Sequence, residues 1–144
     1  MLNWPKISAH NEKTNIVMNK TEKLWADFHE WPERWAGGPK DVAYGKKIIE
    51  IYKPFVEELL LRHNLKTAKR HLDNLWLLGG ELIRYINMDP EDREKTPMEL
   101  LLGNIDETGG PSCRHLDTDE DFRSYDATCR KLFKFLRERK PNGL

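Results

Sequence analysis

Between Asp41 and His63 the chain places Tyr44, Ile48, Ile51, Tyr52, Phe55 and Leu59 at helical spacing, with Ile49, Val56 and Leu60 widening the stripe. At about 100° per residue these side chains cover roughly half the circumference, and Lys46, Glu50, Lys53 and Glu57 fall on the far side. A strand cannot carry that period, because its alternate residues point to opposite faces. Leucine occurs 18 times and valine three times, a bias towards side chains that lose little rotamer freedom in a helix. The stripe therefore predicts an all-α chain, and its width predicts a central helix packed by two neighbours. Pro54 should kink that helix, since its ring removes a hydrogen bond to the preceding turn.

The same period recurs along the chain. Leu24, Trp25 and Phe28 predict a helix from Lys20 to Trp31, ended by Pro32, and Gly37-Gly38-Pro39 reads as a connector. Ala68, Leu72, Leu75, Trp76, Gly79, Ile83 and Ile86 form the buried stripe of a helix from Lys66 or Thr67 to Asn87. Glycine inside that stripe costs about 1 kcal/mol against alanine, and close approach of another helix backbone is the expected reason. Asp89-Pro90 and Thr96-Pro97-Met98-Glu99 are helix-start signals, the second opening a short helix from Met98 to Ile105. The last helix follows Thr118, with Asp119, Glu120 and Asp121 where the helix dipole favours negative charge. Its stripe is Phe122, Tyr125, Cys129, Leu132, Phe133 and Leu136, and Pro141-Asn142-Gly143 stops it. The expected architecture is a compact bundle of about five helices with no sheet: a loose N-terminal arm over 1–18, one helical domain over 19–140, and a tail over 141–144.

A chain of 144 residues has room for an ordinary core, burying about 70% of its unfolded surface. No apolar run approaches the ~20 residues that cross a bilayer, and the start Met1-Leu2-Asn3-Trp4-Pro5-Lys6 does not read as a signal peptide. Two cysteines, Cys113 and Cys129, are too few for a disulfide scaffold, so a cytoplasmic setting is expected. They do not make a zinc site either: Cys113-Arg114-His115 has no second ligand pair, and Cys129 lies on a core stripe. Asp117, Asp119 and Asp121 resemble the start of a calcium loop, but Phe122 stands where glycine is required and Thr128 where the closing glutamate belongs. His29-Glu30 lacks the second histidine of a zinc protease, and Gly37-Gly38 lacks the Gly-Lys-Ser/Thr of a phosphate loop. No metal, cofactor or catalytic constellation is implied, and a non-enzymatic role is expected.

Net charge is zero, but its distribution is uneven. Residues 1–75 hold 13 basic and 10 acidic side chains, residues 76–127 hold 5 and 13, and residues 128–144 hold 6 and 1. In the basic end, Lys131, Lys134 and Arg137 lie with Arg130 within about a third of the helix circumference. Cations at a helix C-terminus also suit the dipole, so a solvated face explains most of this strip. Arg62, Lys66, Lys69 and Arg70 are less easily explained, because Lys66, Lys69 and Arg70 fill the first turns of a helix where positive charge opposes the dipole. A bound anion would relieve that conflict, as would acids packed from the middle segment. Both strips are candidate contacts for nucleic-acid phosphates.

The stretch Leu59-Leu60-Leu61-Arg62-His63-Asn64-Leu65-Lys66-Thr67-Ala68-Lys69-Arg70-His71-Leu72 reads as helix, short turn, basic helix. From Tyr44 to about Ile83 it resembles the helix pair of the core-binding (SAM-like) domain of tyrosine recombinases, and more loosely a helix-turn-helix module. The turn is one or two residues shorter than the helix-turn-helix standard, with Asn64 where glycine is usual. No recombinase catalytic pattern with a tyrosine nucleophile accompanies it, so recombination is not implied. His71-Leu72-Asp73-Asn74-Leu75-Trp76-Leu77-Leu78-Gly79-Gly80-Glu81 is similar to a segment of small uncharacterised bacterial proteins, a resemblance that carries no activity.

Five tryptophans exceed what a small core needs. Trp25 and Trp76 sit on core stripes, whereas Trp31 and Trp35 flank Pro32 at an expected helix break. There they would either cap the open end of the bundle or anchor a partner. The expected role is a non-catalytic protein-interaction module, self-association included, using the Trp31/Trp35 region or an exposed helix face. The alternative is a small DNA- or RNA-binding accessory protein using the two basic strips, provided that they share one face.

Overall fold

A computed structural model describes the backbone of residues 12–139 and the side chains from Asn19 to Arg139. Its elements are α1 (Glu12–Trp35), α2 (Pro39–Arg62), α3 (Leu65–Met88), α4 (Pro90–Glu94), α5 (Pro97–Asn104) and α6 (Asp119–Arg139). The fold is all-α, as the periodicity predicts. Among the described residues no strand occurs, only an isolated antiparallel bridge between Asp106 and Gly109.

The chain divides into two compact units, Met1–Glu30 and Trp31–Leu144, with the division inside α1. In the first unit Trp25 packs edge-on against Phe28 at 5.5 Å, and the His29 ring nitrogen Nδ1 lies 2.7 Å from the Trp25 carbonyl. Residues 1–11 of the expected arm and residues 140–144 at the other end lie outside the described residues. Residues 12–18 of that arm are helical.

In the second unit α3 packs against α2, α4 and α6, and α2 packs against α5 as well. The wide stripe of α2 thus has its two neighbours, but the most surrounded helix is α3. The core gathers Ile48, Tyr52 and Val56 from α2, Leu75, Leu78 and Leu82 from α3, Leu101 from α5, and Tyr125, Cys129 and Leu132 from α6. Buried hydroxyls need partners, and Tyr52 meets this by donating to the Leu75 carbonyl across the α2–α3 contact at 3.2 Å.

Local chemistry places the helix starts. Asn64 caps α3 by accepting from the Thr67 N–H at 2.8 Å, which explains asparagine in that turn. Thr96 and Glu99 form a reciprocal capping box at 3.1 and 2.8 Å, with Pro97 at the first helical position of α5. Asp89 caps α4, and the Thr118 hydroxyl accepts from Asp121 N–H at the head of α6.

Two expectations about helix interiors are corrected. Helix α1 continues through Pro32 to Trp35 rather than ending at Trp31. Pro32 is buried, and a Cβ on Gly45 of α2 would stand 3.1 Å from its ring, so packing against a glycine offsets the missing hydrogen bond. The neighbour of Gly79 is an indole rather than a helix backbone: a Cβ there would meet the Trp35 ring at 2.2 Å. Helix α2 runs without interruption across Pro54. In the α5–α6 connection Gly109 has φ +147°, a conformation that L side chains avoid, and a Cβ would collide with the Asp126 carboxylate.

Candidate functional site

The expected basic contacts converge only in part. Arg62 at the end of α2 and Lys131 and Lys134 on α6 line one groove of about 270 Å³, together with His63 and Phe135. Glu58 and Glu138 line it too, and Arg62 is already paired with Glu58 at 3.0 Å. Arg137 opens instead on a neighbouring groove of about 450 Å³ that shares Lys134, and its guanidinium lies 5.4 Å from the Phe133 ring centroid. Lys69 pairs with Asp73 at 3.3 Å, while Lys66 and Arg70 are exposed on the first turns of α3.

Behind the Arg62 groove lies a polar network that sequence reading missed. His71 is buried, its Nδ1 is 2.8 Å from Thr128 Oγ1, and its ring sits 5.6 Å from that of His63. Asn74 Nδ2 donates to Thr128 Oγ1, to Ser124 Oγ and to the Ser124 carbonyl at 2.9–3.1 Å, and the Thr128 hydroxyl donates to the Ser124 carbonyl at 3.2 Å. The one Thr128 hydroxyl proton has two acceptors in reach, the Ser124 carbonyl and, when the imidazole carries its proton on Nε2, His71 Nδ1. Burial holds His71 down at about pH 4, and His63, Lys131 and Arg70 push the same way.

An unfolded histidine titrates near 6.5. The folded pKa is depressed, so the stability that His71 contributes is complete above about pH 6.5 and is lost as pH falls towards 4. About 2 kcal/mol should disappear across that window once local relaxation is allowed for. Urea melts at stepped pH are expected to show the decline, with a flattened slope in His71→Asn. An unchanged slope in that variant would assign the decline elsewhere.

The expected Trp31/Trp35 surface is corrected as well. Trp31 is 3% exposed and packs at 5.6 Å from Trp35, 5.7 Å from Trp76 and 6.5 Å from Tyr52, so it is core and presents no surface. Trp35 is half-buried, stacks on Trp76 at 5.7 Å and donates its indole N–H to the Trp76 carbonyl at 3.1 Å. These two rings border a cavity of about 410 Å³ reached also by Gly80, Glu81, Arg84 and Arg114. One edge is held by Asp41, buried near the α2 start, which accepts from Gly37 N–H, Asn87 Nδ2 and Arg93 Nη2 at 2.7–2.9 Å. Burial alone would raise the Asp41 pKa, but these hydrogen bonds and the Arg93 charge outweigh it and lower the pKa overall.

A larger concavity of about 670 Å³ lies between α2, α5 and α6. Ile51 and Pro54, Met98 and Leu102, and Leu136 make its apolar surface, and Lys47, Glu50 and Arg139 stand on its rim. Met98 and Leu102 are each 38% exposed. The sequence held a signal for this groove. Met98 and Leu102 are four apart and share a face, while Leu100 and Leu101 occupy others, so an eight-residue helix carries more apolar surface than one contact can bury.

Among the described residues no group of three or more His, Cys, Asp or Glu is placed to hold a metal ion, and no helix is long and apolar enough to cross a membrane. No protein-family profile, curated protein or solved structure matches the chain.

Proposed function

We propose that the chain is a non-catalytic protein-interaction module whose contact surface is the groove between α2, α5 and α6. The observation that carries this reading is the gathering of Met98 and Leu102 with Ile51, Pro54 and Leu136 in one concavity. Single exposed apolar residues need no explanation, but a concave apolar patch with a charged rim is how docking sites are built. Methionine adds adaptability to such surfaces. The occupant is an amphipathic helix of another protein, with apolar residues at positions i and i+4 and acidic residues beside them, because Lys47 and Arg139 outnumber Glu50 on the rim. The proposal takes the module to be cytoplasmic, a setting that Cys113 and Cys129, both buried and unpaired, support.

A second reading, a small DNA- or RNA-binding accessory protein, is favoured by one observation: Arg62, Lys131 and Lys134 share a groove although they come from distant parts of the chain. Glu58 and Glu138 on the same walls weaken it as a phosphate track.

One titration separates the two. Fluorescence anisotropy with a labelled helical peptide carrying Leu at i, i+4 and i+7 should show binding when its flanks are Glu and about tenfold weaker binding when they are Lys, a difference of about 1.4 kcal/mol. Leu102→Glu should abolish the binding while its circular-dichroism melt stays cooperative, Leu102 being 38% exposed. Equal affinity for both peptides, or binding indifferent to Leu102→Glu, rejects the module reading. Binding of a labelled duplex or single strand that weakens steeply with salt and is lost in Lys131→Ala/Lys134→Ala would put the second reading first.

A further inference from the structure

Two adjacent glycines in the middle of α3 have different explanations. Gly79 is required by packing, since a Cβ would overlap the Trp35 ring. At Gly80 a Cβ would stand 3.5 and 3.6 Å from Trp35 Cδ1 and Nε1, which is ordinary van der Waals contact. Packing therefore tolerates alanine at 80, yet the position holds the poorest helix former after proline. Gly80 lines the cavity of about 410 Å³ beside Trp35 and Trp76, where a larger side chain would take up space. A backbone left bare on a cavity wall is a recurrent use of glycine where a ligand must come close.

The other walls are chemically distinct. They include the stacked indoles of Trp35 and Trp76, both half-buried. The lining also includes Arg84 of α3 and Arg114 and His115 of the α5–α6 connection. Glu81 is 2% exposed and holds Arg84 through Oε2, with Nη2 at 2.8 Å and Nε at 2.9 Å. That pair fixes the guanidinium in place and neutralises its charge. Arg114 then leaves the cavity with an excess of positive charge. An indole stack and an exposed guanidinium lining one cavity select for a ring and a negative charge together.

We propose that this cavity is a binding site for a small planar anion: an aromatic or heteroaromatic ring lying against the Trp35–Trp76 stack, with a carboxylate or phosphate directed at Arg114. The site is separate from the groove between α2, α5 and α6 and does not depend on the function proposed for it.

The test uses one ring with four substituents: 1-naphthoate, 1-naphthyl phosphate, 1-naphthamide and 1-naphthylmethylamine, titrated calorimetrically into the full chain. The proposal expects one or both anions to bind at least tenfold more tightly than the amide and the amine, and the better anion identifies the acid group. Arg114→Gln, at an exposed position, should erase the preference for the anion. Gly80→Leu should abolish binding of all four while the circular-dichroism melt stays cooperative. Should Gly80→Leu fail to fold, the Arg114→Gln comparison decides alone. Equal binding of anion, amide and amine overturns the proposal. So does an anion preference that survives Arg114→Gln, binding unchanged in a folded Gly80→Leu, or absence of binding by all four probes.

Discussion

Replacing Trp31 by alanine is expected to remove about 3–5 kcal/mol of stability, the range for deleting a large aromatic from a core. Trp31 is 3% exposed and is surrounded by Trp35, Trp76 and Tyr52, so the vacated space has rigid ring walls that collapse poorly. A domain of this size has about 5–15 kcal/mol in total, and the variant would therefore be marginal at room temperature. Equilibrium urea unfolding followed by far-ultraviolet circular dichroism measures the loss. A change below about 1 kcal/mol, the scale of surface substitutions, would mean that Trp31 faces solvent after all and would restore it as a partner anchor.

At the neighbouring glycines of α3, the same substitution should act with opposite signs. Gly79→Ala places a methyl group 2.2 Å from the Trp35 ring, and the indole is also tied by its N–H to the Trp76 carbonyl, so it has little freedom to yield. Overpacking of this kind costs about 1–3 kcal/mol, and the rigidity of the ring places Gly79→Ala near the upper end even after the gain in helix propensity. Gly80→Ala meets the same ring at 3.5 Å and should instead stabilise by about 0.5–1 kcal/mol. Thermal melts of the two variants are expected to move in opposite directions by several degrees. Parallel shifts would contradict the placement of Trp35 over Gly79.

These two predictions also show what sequence reading could reach. The caps at Asn64, Asp89, Thr96 and Thr118 involve residues two or three apart, and so the signals at Asp89-Pro90, Thr96-Pro97-Met98-Glu99 and Thr118 were legible without any tertiary information. The stripes of α2, α3 and α6 were legible for the same reason, since a buried face imposes its own period. What failed were judgements that needed a partner from elsewhere in the chain. Pro32 looks like a helix terminator until Gly45 is known to lie against it, and Gly79 looks like a site of backbone contact until the Trp35 ring is placed. Trp31 and Trp35 have identical composition and nearly identical context, yet one is core and the other borders a cavity, a difference set by Tyr52 and Trp76 on two other helices.

The candidate sites follow the same rule. Arg62, Lys131 and Lys134 could be listed as cations, but their common groove depends on α6 lying beside the end of α2. Lys69 could not be set aside until Asp73 was seen to hold it. Met98 and Leu102 carried a local signal, the surplus of apolar side chains on an eight-residue helix. Only the positions of Ile51, Pro54 and Leu136 turn that surplus into a groove. Nothing in the sequence around His71 announces Thr128, 57 positions away, as its partner.

The central claim is that the groove between α2, α5 and α6 is where a partner helix docks. Its most direct test is residue-resolved: amide chemical-shift mapping of the isotope-labelled chain during titration with the Glu-flanked Leu peptide. The account predicts saturable shifts concentrated at Ile51, Met98, Leu102 and Leu136, with Lys47 and Arg139 following at the rim and all of them absent in Leu102→Glu. Shifts centred on Arg62, Lys131 and Lys134, or spread without saturation over the whole surface, would contradict it.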